Sequence, residues 1–227
     1  MHPADMPFLR QLGREDADAL LSLMRRRRVP RGQPLLRAGA AGDAVAVVLE
    51  GRIKLVAYGV DRREVVLGLR GPGELIGEMA ALGAQRRTAS AVAVDDVEAA
   101  YLSAEELRRF LGSHPSVALV LIRMLVRRLS EADRDRIDLA TQDSVGRLAK
   151  RLVELAADHG TPDGNGTRIE LSLTQDELAS WTGATRETVS RALALMRRLG
   201  WIGTDHRSIT VLDPDALRER SGATAVR

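Results

Sequence analysis

Glycine sets the grain of the first half of this sequence. From Val29 to Leu102, short apolar stretches (Pro34–Leu36, Ala44–Leu49, Ile53–Tyr58, Val65–Leu69, Ala91–Val94 and Glu98–Leu102) alternate with turns. The turns carry Gly32, Gly39, Gly42-Asp43, Gly51, Gly59, Gly71-Pro72-Gly73 and Gly83. Short strands spaced about 8–12 residues apart, with a turn residue between each pair, predict a compact all-β roll, sandwich or barrel. Glycine supplies the positive-φ corners that closing a small roll requires.

The flanks read as helices. Over residues 5–28, Phe8, Leu9, Leu12, Leu20, Leu21, Leu23 and Met24 recur on helical faces with acidic residues between them. The run Arg25–Arg28 is read as the solvated end of this helix leading into a strand, the other reading being a short nucleic-acid patch. After the roll, Ser103-Ala-Glu-Glu is a capping signal for a short helix ending near Gly112, and Pro115 suits the first turn of a longer one. Neither glycine nor proline interrupts Val117–Ala140. There Ile122, Leu125, Leu129, Ala132, Arg136 and Leu139 fall at alternating spacings of three and four. This stripe is a two-stranded coiled-coil seam, or else the face of one helix packed on the roll; we expect a dimer.

Asp143-Ser144 can cap a further helix over Val145–Asp158, ending at His159-Gly160, and Thr161–Thr167 is expected to be a loop. A strand at Arg168–Leu173 precedes helices at Gln175–Trp181 and Arg186–Leu199, separated by Thr182-Gly183-Ala184-Thr185. Two short apolar stretches follow, Trp201–Gly203 and Ser208–Leu212, joined by Thr204–Arg207. Helix, glycine turn, helix and hairpin make a winged helix-turn-helix. The predicted class is therefore α+β, with a β-roll domain at 1–113, a long helix at 114–141 and a winged helix-turn-helix domain at 142–227.

Composition narrows the chemistry. The 227 residues and 44% apolar content suffice for two cores, and with 3% aromatics these must be built from aliphatic residues. Cysteine is absent, which excludes disulfides, thiolate zinc fingers, cysteine-ligated clusters and thiol nucleophiles. The net charge of +3 does not by itself mark a nucleic-acid binder. Lys54 and Lys150 are the only lysines, and the arginine excess is read as codon usage. No apolar run approaches the roughly 18–20 residues of a membrane span, and MHPADMPFLRQLGRED lacks the layout of a signal peptide. A cytoplasmic protein without a membrane partner is expected. No Ser-His-Asp set, paired catalytic carboxylates or Walker loop can be assembled, so an enzyme reading has no site. His2, His114, His159 and His206 are scattered and read as surface or capping residues, and Trp181 and Trp201 as winged-helix core.

Two segments carry chemistry. The second helix of the C-terminal unit leads with Thr185, Arg186, Glu187, Thr188 and Arg191. Arginine can read guanine O6/N7 in the major groove, and a carboxylate can accept from cytosine N4. Thr188, Thr174 and Gln175 can donate to phosphates. The plainer reading is a Glu187–Arg191 ion pair at i, i+4, which leaves unexplained a carboxylate at the tip of a helix that would approach phosphate. The other segment is Ile76–Ser90. Here Gly77 admits close backbone approach, Glu78 can accept from a ribose hydroxyl, Arg87 offers a fork for phosphate, and Thr88 adds a hydroxyl.

LTQDELASWTGATRETVSRAL resembles the DNA-binding signature of the catabolite activator/fumarate–nitrate regulator family, the cyclic AMP receptor proteins and their relatives. The resemblance extends over nearly the whole chain. It implies a homodimer controlled by a cyclic nucleotide, with cyclic AMP the expected effector. Arg186, Glu187 and Arg191 would read TGTGA-like inverted repeats on a double-stranded operator, and RNA polymerase is a candidate partner. The 77–89 segment is similar to the family's phosphate-binding cassette: Gly77 and Glu78 would hold the ribose side, and Arg87, Thr88 and the Ala89 amide the cyclic phosphate. Met79 lies inside the cassette and is expected to face the roll core. Arg128, in Arg127-Arg128-Leu129, aligns with an arginine that helps fix the ligand. One turn on, where relatives meet the base with hydroxyl or amide side chains, this chain has Ala132-Asp133. Three readings of Asp133 stay open: contact with adenine N6, contact with guanine N1 and N2, or a pair with Arg136 that leaves the base unread. A ligand-independent regulator with a vestigial or differently selective pocket is the alternative.

Overall fold

A computed structural model describes residues 6–59, 63–83, 85–170, 173–205 and 208–222. The chain divides into two compact units, Met1–Ala132 and Asp133–Arg227.

The first unit opens with α1 (Phe8–Gln11), α2 (Arg14–Leu23) and then a strand, β1 (Arg25–Val29). The expected single helix over 5–28 is thus two helices and a strand, and residue 5 lies outside the described residues. Leu12 and Met24, both in extended conformation, end the two helices. The arginine run is no helix end: it pairs antiparallel with Val97–Tyr101 at a sheet edge, so backbone pairing overrides the helical reading. Arginine tolerates that place because Arg25–Arg28 are all exposed.

The roll follows, with β2 (Pro34–Leu36), β3 (Ala44–Glu50), β4 (Ile53–Tyr58), β5 (Glu64–Arg70), β6 (Leu75–Ile76), α3 (Glu78–Gly83), β7 (Ser90–Ala93) and β8 (Val97–Ser103). One sheet runs β1-β8-β3-β6 and the other β2-β7-β4-β5. Both faces of β3 are buried, which explains its unbroken apolar run. Ala46 and Val48 point into a cluster with Ile53, Ile76, Ala91 and Ala99. Val45 and Val47 point the other way, onto a cluster built with helical residues.

Those helices are α4 (Ala104–Ser113) and α5 (Pro115–Thr141). Ser103 and Glu106 form the expected capping box. Val117, Val120, Leu121 and Met124 bury one stripe of α5 on the second cluster, with Leu125 packed beside it. The expected seam therefore splits. Leu125 belongs to the core side, whereas Ile122, Leu129 and Leu139 are exposed, as are Ala132 and Arg136. The exposed apolar stripe is Leu119, Ile122, Val126 and Leu129.

The second unit holds α6 (Ser144–His159), β9 (Thr161–Asp163), β10 (Gly166–Glu170), α7 (Gln175–Thr182), α8 (Arg186–Arg198), β11 (Ile202–Asp205), β12 (Ser208–Val211) and α9 (Pro214–Arg220). The segment 161–167, expected as a loop, is mostly a hairpin, because Gly164 at φ +48° lets β9 fold back on β10. The sheet order is β11-β12-β10-β9. The second strand ends at Glu170; residues 171–172 of the expected strand, and His206 and Arg207 of the expected connection, lie outside the described residues. α9 was not anticipated; Asp213 caps it and Pro214 sits in its first turn. Leu148, Leu152, Leu178, Val189, Met196, Ile209 and Leu217 are buried in this unit. Among the described residues, no single helix is long and apolar enough to cross a membrane.

Candidate effector pocket and nucleic-acid interface

The pocket is built around Gly77, which joins β6 to α3 at φ +83°. A side chain there would place its first carbon 2.6 Å from Leu36 Cδ1 and 2.7 Å from Arg87 Nη1. Glycine is therefore what lets Arg87 come up against the start of α3. Glu78 and Arg87 are the two ionic residues predicted for ribose and phosphate, and they are only 2% and 6% exposed. Buried charges persist where they are paired and hydrogen-bonded. Arg87 Nη2 donates to the Ala44 carbonyl at 2.7 Å and to Asp43 at 3.2 Å. Glu78 accepts from Arg128 Nη1 at 2.7 Å, so α5 reaches the cassette through Arg128. Arg128 Nη2 donates to Glu74 at 2.8 Å and to the Leu75 carbonyl at 2.9 Å.

The other cassette residues are placed less uniformly. Thr88 is exposed and Ala89 half-buried. Met79 does not face the roll core: it is 67% exposed, because α3 buries Glu78, Ala80 and Ala81 and turns Met79 outward. Ala132 and Asp133 are both exposed, and Asp133 pairs with Arg136 at 3.6 Å along the same helix. Two residues of this pocket went unread in the sequence, Asp43 and Glu74. Their only local signals were a carboxylate after Gly42 and another just before the cassette.

In the second unit, Gly183 ends α7 in the left-handed conformation, φ +59°, as a tight turn between helices demands. Arg147 of α6 pins the turn, donating to the Thr182 carbonyl at 2.7 Å and to that of Gly183 at 3.3 Å; this arginine was also missed. Thr174 and Thr185 cap α7 and α8. Thr174 forms a capping box with Glu177, and the Thr185 hydroxyl accepts from the Thr188 backbone and lies 3.0 Å from its hydroxyl. Gln175, Arg186 and Glu187 are exposed in the first turns of the two helices, Arg191 is exposed in the second turn of α8, and Thr188 is half-buried. Arg186 lies 4.0 Å from Asp176. The Glu187 carboxyl is held below its ordinary range, first by its own backbone N–H and then by the Thr185 hydroxyl, with Arg186 and Arg191 adding less. No ion pair within 4 Å joins Glu187 to Arg191 among the described residues, and both side chains are exposed on α8. The second half of α8 adds Arg197 and Arg198, which line a shallow recess with Arg191.

Trp181 and Trp201 are half-buried. Arg151 lies over the Trp181 ring, 5.0 Å from its centroid. His114 stacks on Phe110 with ring centroids 4.0 Å apart, His159 is half-buried at the end of α6, and His2 and His206 lie outside the described residues. The described residues contain no group of three or more His, Asp or Glu able to hold a metal ion.

Residues 26–114 match the cyclic nucleotide-binding domain, and residues 146–220 match the Crp-like helix-turn-helix domain. The chain is 34% identical over 192 residues to the CRP-like cAMP-activated global transcriptional regulator of Mycobacterium tuberculosis, covering 85% of this chain and 86% of that one. It is 34% identical over 213 residues to the cyclic AMP receptor protein of Thermus thermophilus, covering 94% and 95%. Among solved structures, the c-di-GMP responsive global regulator CLP of Xanthomonas campestris superposes with a TM-score of 0.75 at 25% identity, covering 88% of this chain and 99% of that one.

Proposed function

This chain belongs to the catabolite activator/fumarate–nitrate regulator family of transcription regulators, joining a cyclic nucleotide-binding domain to a DNA-binding helix-turn-helix domain, and from that premise we propose that it is a homodimer switched by cyclic AMP. The observation that carries the effector reading is the buried pair Glu78 and Arg87 brought up to Gly77. An acceptor and a cation in a partly dry site suit a ribose hydroxyl and an anionic cyclic phosphate. Gly77 and Glu78 hold the ribose side, and Arg87, Thr88 and the Ala89 amide hold the phosphate. Met79, also counted with the cassette, is exposed on α3 and lies on the side open to a ligand or partner. The functional division is sensor at 1–113, dimer helix at 114–141 and DNA-binding domain at 142–227.

Dimerisation is supported by the exposed stripe Leu119, Ile122, Val126 and Leu129, whose spacing of three, four and three is that of a coiled-coil seam. In the dimer each α8 enters a major groove, with the half-sites of a TGTGA-like inverted repeat about 34 Å apart. Arg186 and Arg191 read guanines, Glu187 reads a cytosine, and Thr174, Gln175, Thr185 and Thr188 serve the backbone. The nucleotide acts by population shift: it favours the DNA-competent dimer by as much as it binds that state more tightly. An operator-binding regulator of this kind works in the cytoplasm, with RNA polymerase as a partner.

One observation favours a second reading of the effector. Asp133 already has a partner, Arg136, at 3.6 Å along its own helix. The pocket would then read sugar and phosphate but not the base, and a differently selective nucleotide, such as a cyclic dinucleotide, becomes the competitor. Calorimetric titration of the full chain with cyclic AMP, cyclic GMP and cyclic di-GMP separates the readings. The proposal predicts tightest binding of cyclic AMP; binding of a guanine nucleotide alone, or of none, contradicts it.

A further inference from the structure

Three arginines, Arg70, Arg127 and Arg128, converge beneath the cassette on one carboxylate that has no assigned part in binding, Glu74. Its oxygens lie 2.8 Å from Arg128 Nη2, 3.9 Å from Arg70 Nε and 4.0 Å from Arg127 Nη2. The only other well-buried carboxylate in this cluster is Glu78, which takes Arg128 Nη1 on Oε1. We propose that Glu74 is a positioning residue for the effector pocket: by taking half of the Arg128 guanidinium it leaves the second oxygen of Glu78 for the ligand's ribose hydroxyl. The proposal rests on the nucleotide reading of the pocket given above.

A guanidinium fork matches a carboxylate edge-on, with two parallel N–H···O bonds, and that bidentate pairing is the strong one. Here the fork is split, Nη1 to Glu78 and Nη2 to Glu74, with the Leu75 carbonyl helping to hold Nη2. Glu74 is itself held in place, since it directly precedes β6 and its backbone N–H donates to the Gly71 carbonyl at 3.2 Å. Without the Glu74 charge, Arg128 has reason to close both arms on Glu78 and claim both of its oxygens. Arg70, whose guanidinium is disfavoured by burial and by the nearby Arg128, would lose its nearest anion and press on the same site. A carboxylate so occupied accepts poorly from a neutral hydroxyl.

The reading makes Glu74 matter to one ligand atom that it does not touch. The test pairs protein variants with a ligand variant: calorimetry of the wild type, Glu74→Gln and Glu74→Asp with cyclic AMP and with 2′-deoxy cyclic AMP, on the full chain. The wild type should prefer cyclic AMP by about tenfold or more, since a site built to bond a hydroxyl rejects the analogue lacking it. Glu74→Gln should weaken cyclic AMP by about tenfold, the scale of one charge-assisted hydrogen bond, and leave 2′-deoxy cyclic AMP within about twofold. Glu74→Asp keeps the charge but retracts the carboxylate by one methylene, so it should also compress the preference, and it serves if the Gln variant fails to fold. A preference unchanged in the variants, or both ligands weakened equally, would make Glu74 a charge-balancing residue and overturn the proposal alone. A wild type that binds no cyclic AMP would overturn the pocket reading and this proposal with it.

Discussion

Leu125 and Val126 are consecutive on α5 and serve different faces: Leu125 packs on the core of the roll, whereas Val126 is 58% exposed in line with Leu119, Ile122 and Leu129. A self-association surface that uses this helix must use Val126. Val126→Glu should therefore give a folded monomer by light scattering at micromolar concentration, because two carboxylates would face each other across a desolvated seam. Leu125→Glu should instead lower the melting temperature, since it forces a charge onto the roll's own core. A dimer that survives Val126→Glu, or a wild type that is already monomeric, contradicts the assignment.

Asp143 ties both ends of the C-terminal unit. It caps α6 by accepting from Gly146 N–H and takes Arg220, at the end of α9, on both oxygens at 2.8 and 2.6 Å. The Arg220 guanidinium and then the Gly146 amide hold its carboxyl below the usual carboxylate range. A depressed folded-state pKa gives stability that is complete above the unfolded value, about 3.9, and disappears as pH falls through the folded value. Asp143→Ala should cost about 1 kcal/mol at pH 7, the usual worth of a cap. The difference from wild type in urea melts should shrink below about pH 4, and a pH-independent difference would sink the argument.

Arg191 is exposed and lacks an ion pair with Glu187. Arg191→Ala should cost about 1–3 kcal/mol on a TGTGA-type operator and relax preference at one guanine. An equal loss on scrambled DNA in a competition assay would reduce Arg191 to a phosphate contact.

Asp133 and Arg87 are expected to separate. Arg87→Leu should abolish cyclic AMP binding, because it removes the buried cation that donates to the Gly77 carbonyl at the start of the cassette. If Asp133 meets adenine N6, Asp133→Ala weakens cyclic AMP several-fold. If its bond to Arg136 holds when ligand is bound, that substitution changes nothing, and the adenine reading falls while the phosphate reading stands.

The parts legible in the sequence were those with local grammar. Ser103 with Glu106, and Asp143, announced helix starts, and the glycine-spaced strands announced the roll. What escaped was set by long-range pairing or by rotation about one axis. Arg25–Arg28 has no apolar alternation, so only its partner β8 makes it a strand. In the α5 stripe Val126 takes the place expected of Leu125, because two apolar faces of one helix lie about 100° apart and heptad counting cannot say which meets the roll. Asp43 and Glu74 make their shortest side-chain bonds to arginines 44 and 54 residues away, Arg87 and Arg128. The start of α9 was different, since Asp213-Pro214 is a local signal that was present and overlooked.

Operator affinity measured by fluorescence anisotropy with and without cyclic AMP, for the wild type and for Arg87→Leu, bears most directly on the account as a whole. Cyclic AMP should tighten wild-type binding by at least about tenfold, a coupling of about 1.4 kcal/mol, and should leave Arg87→Leu unchanged. Wild-type affinity that is the same in the presence and absence of the nucleotide would contradict it.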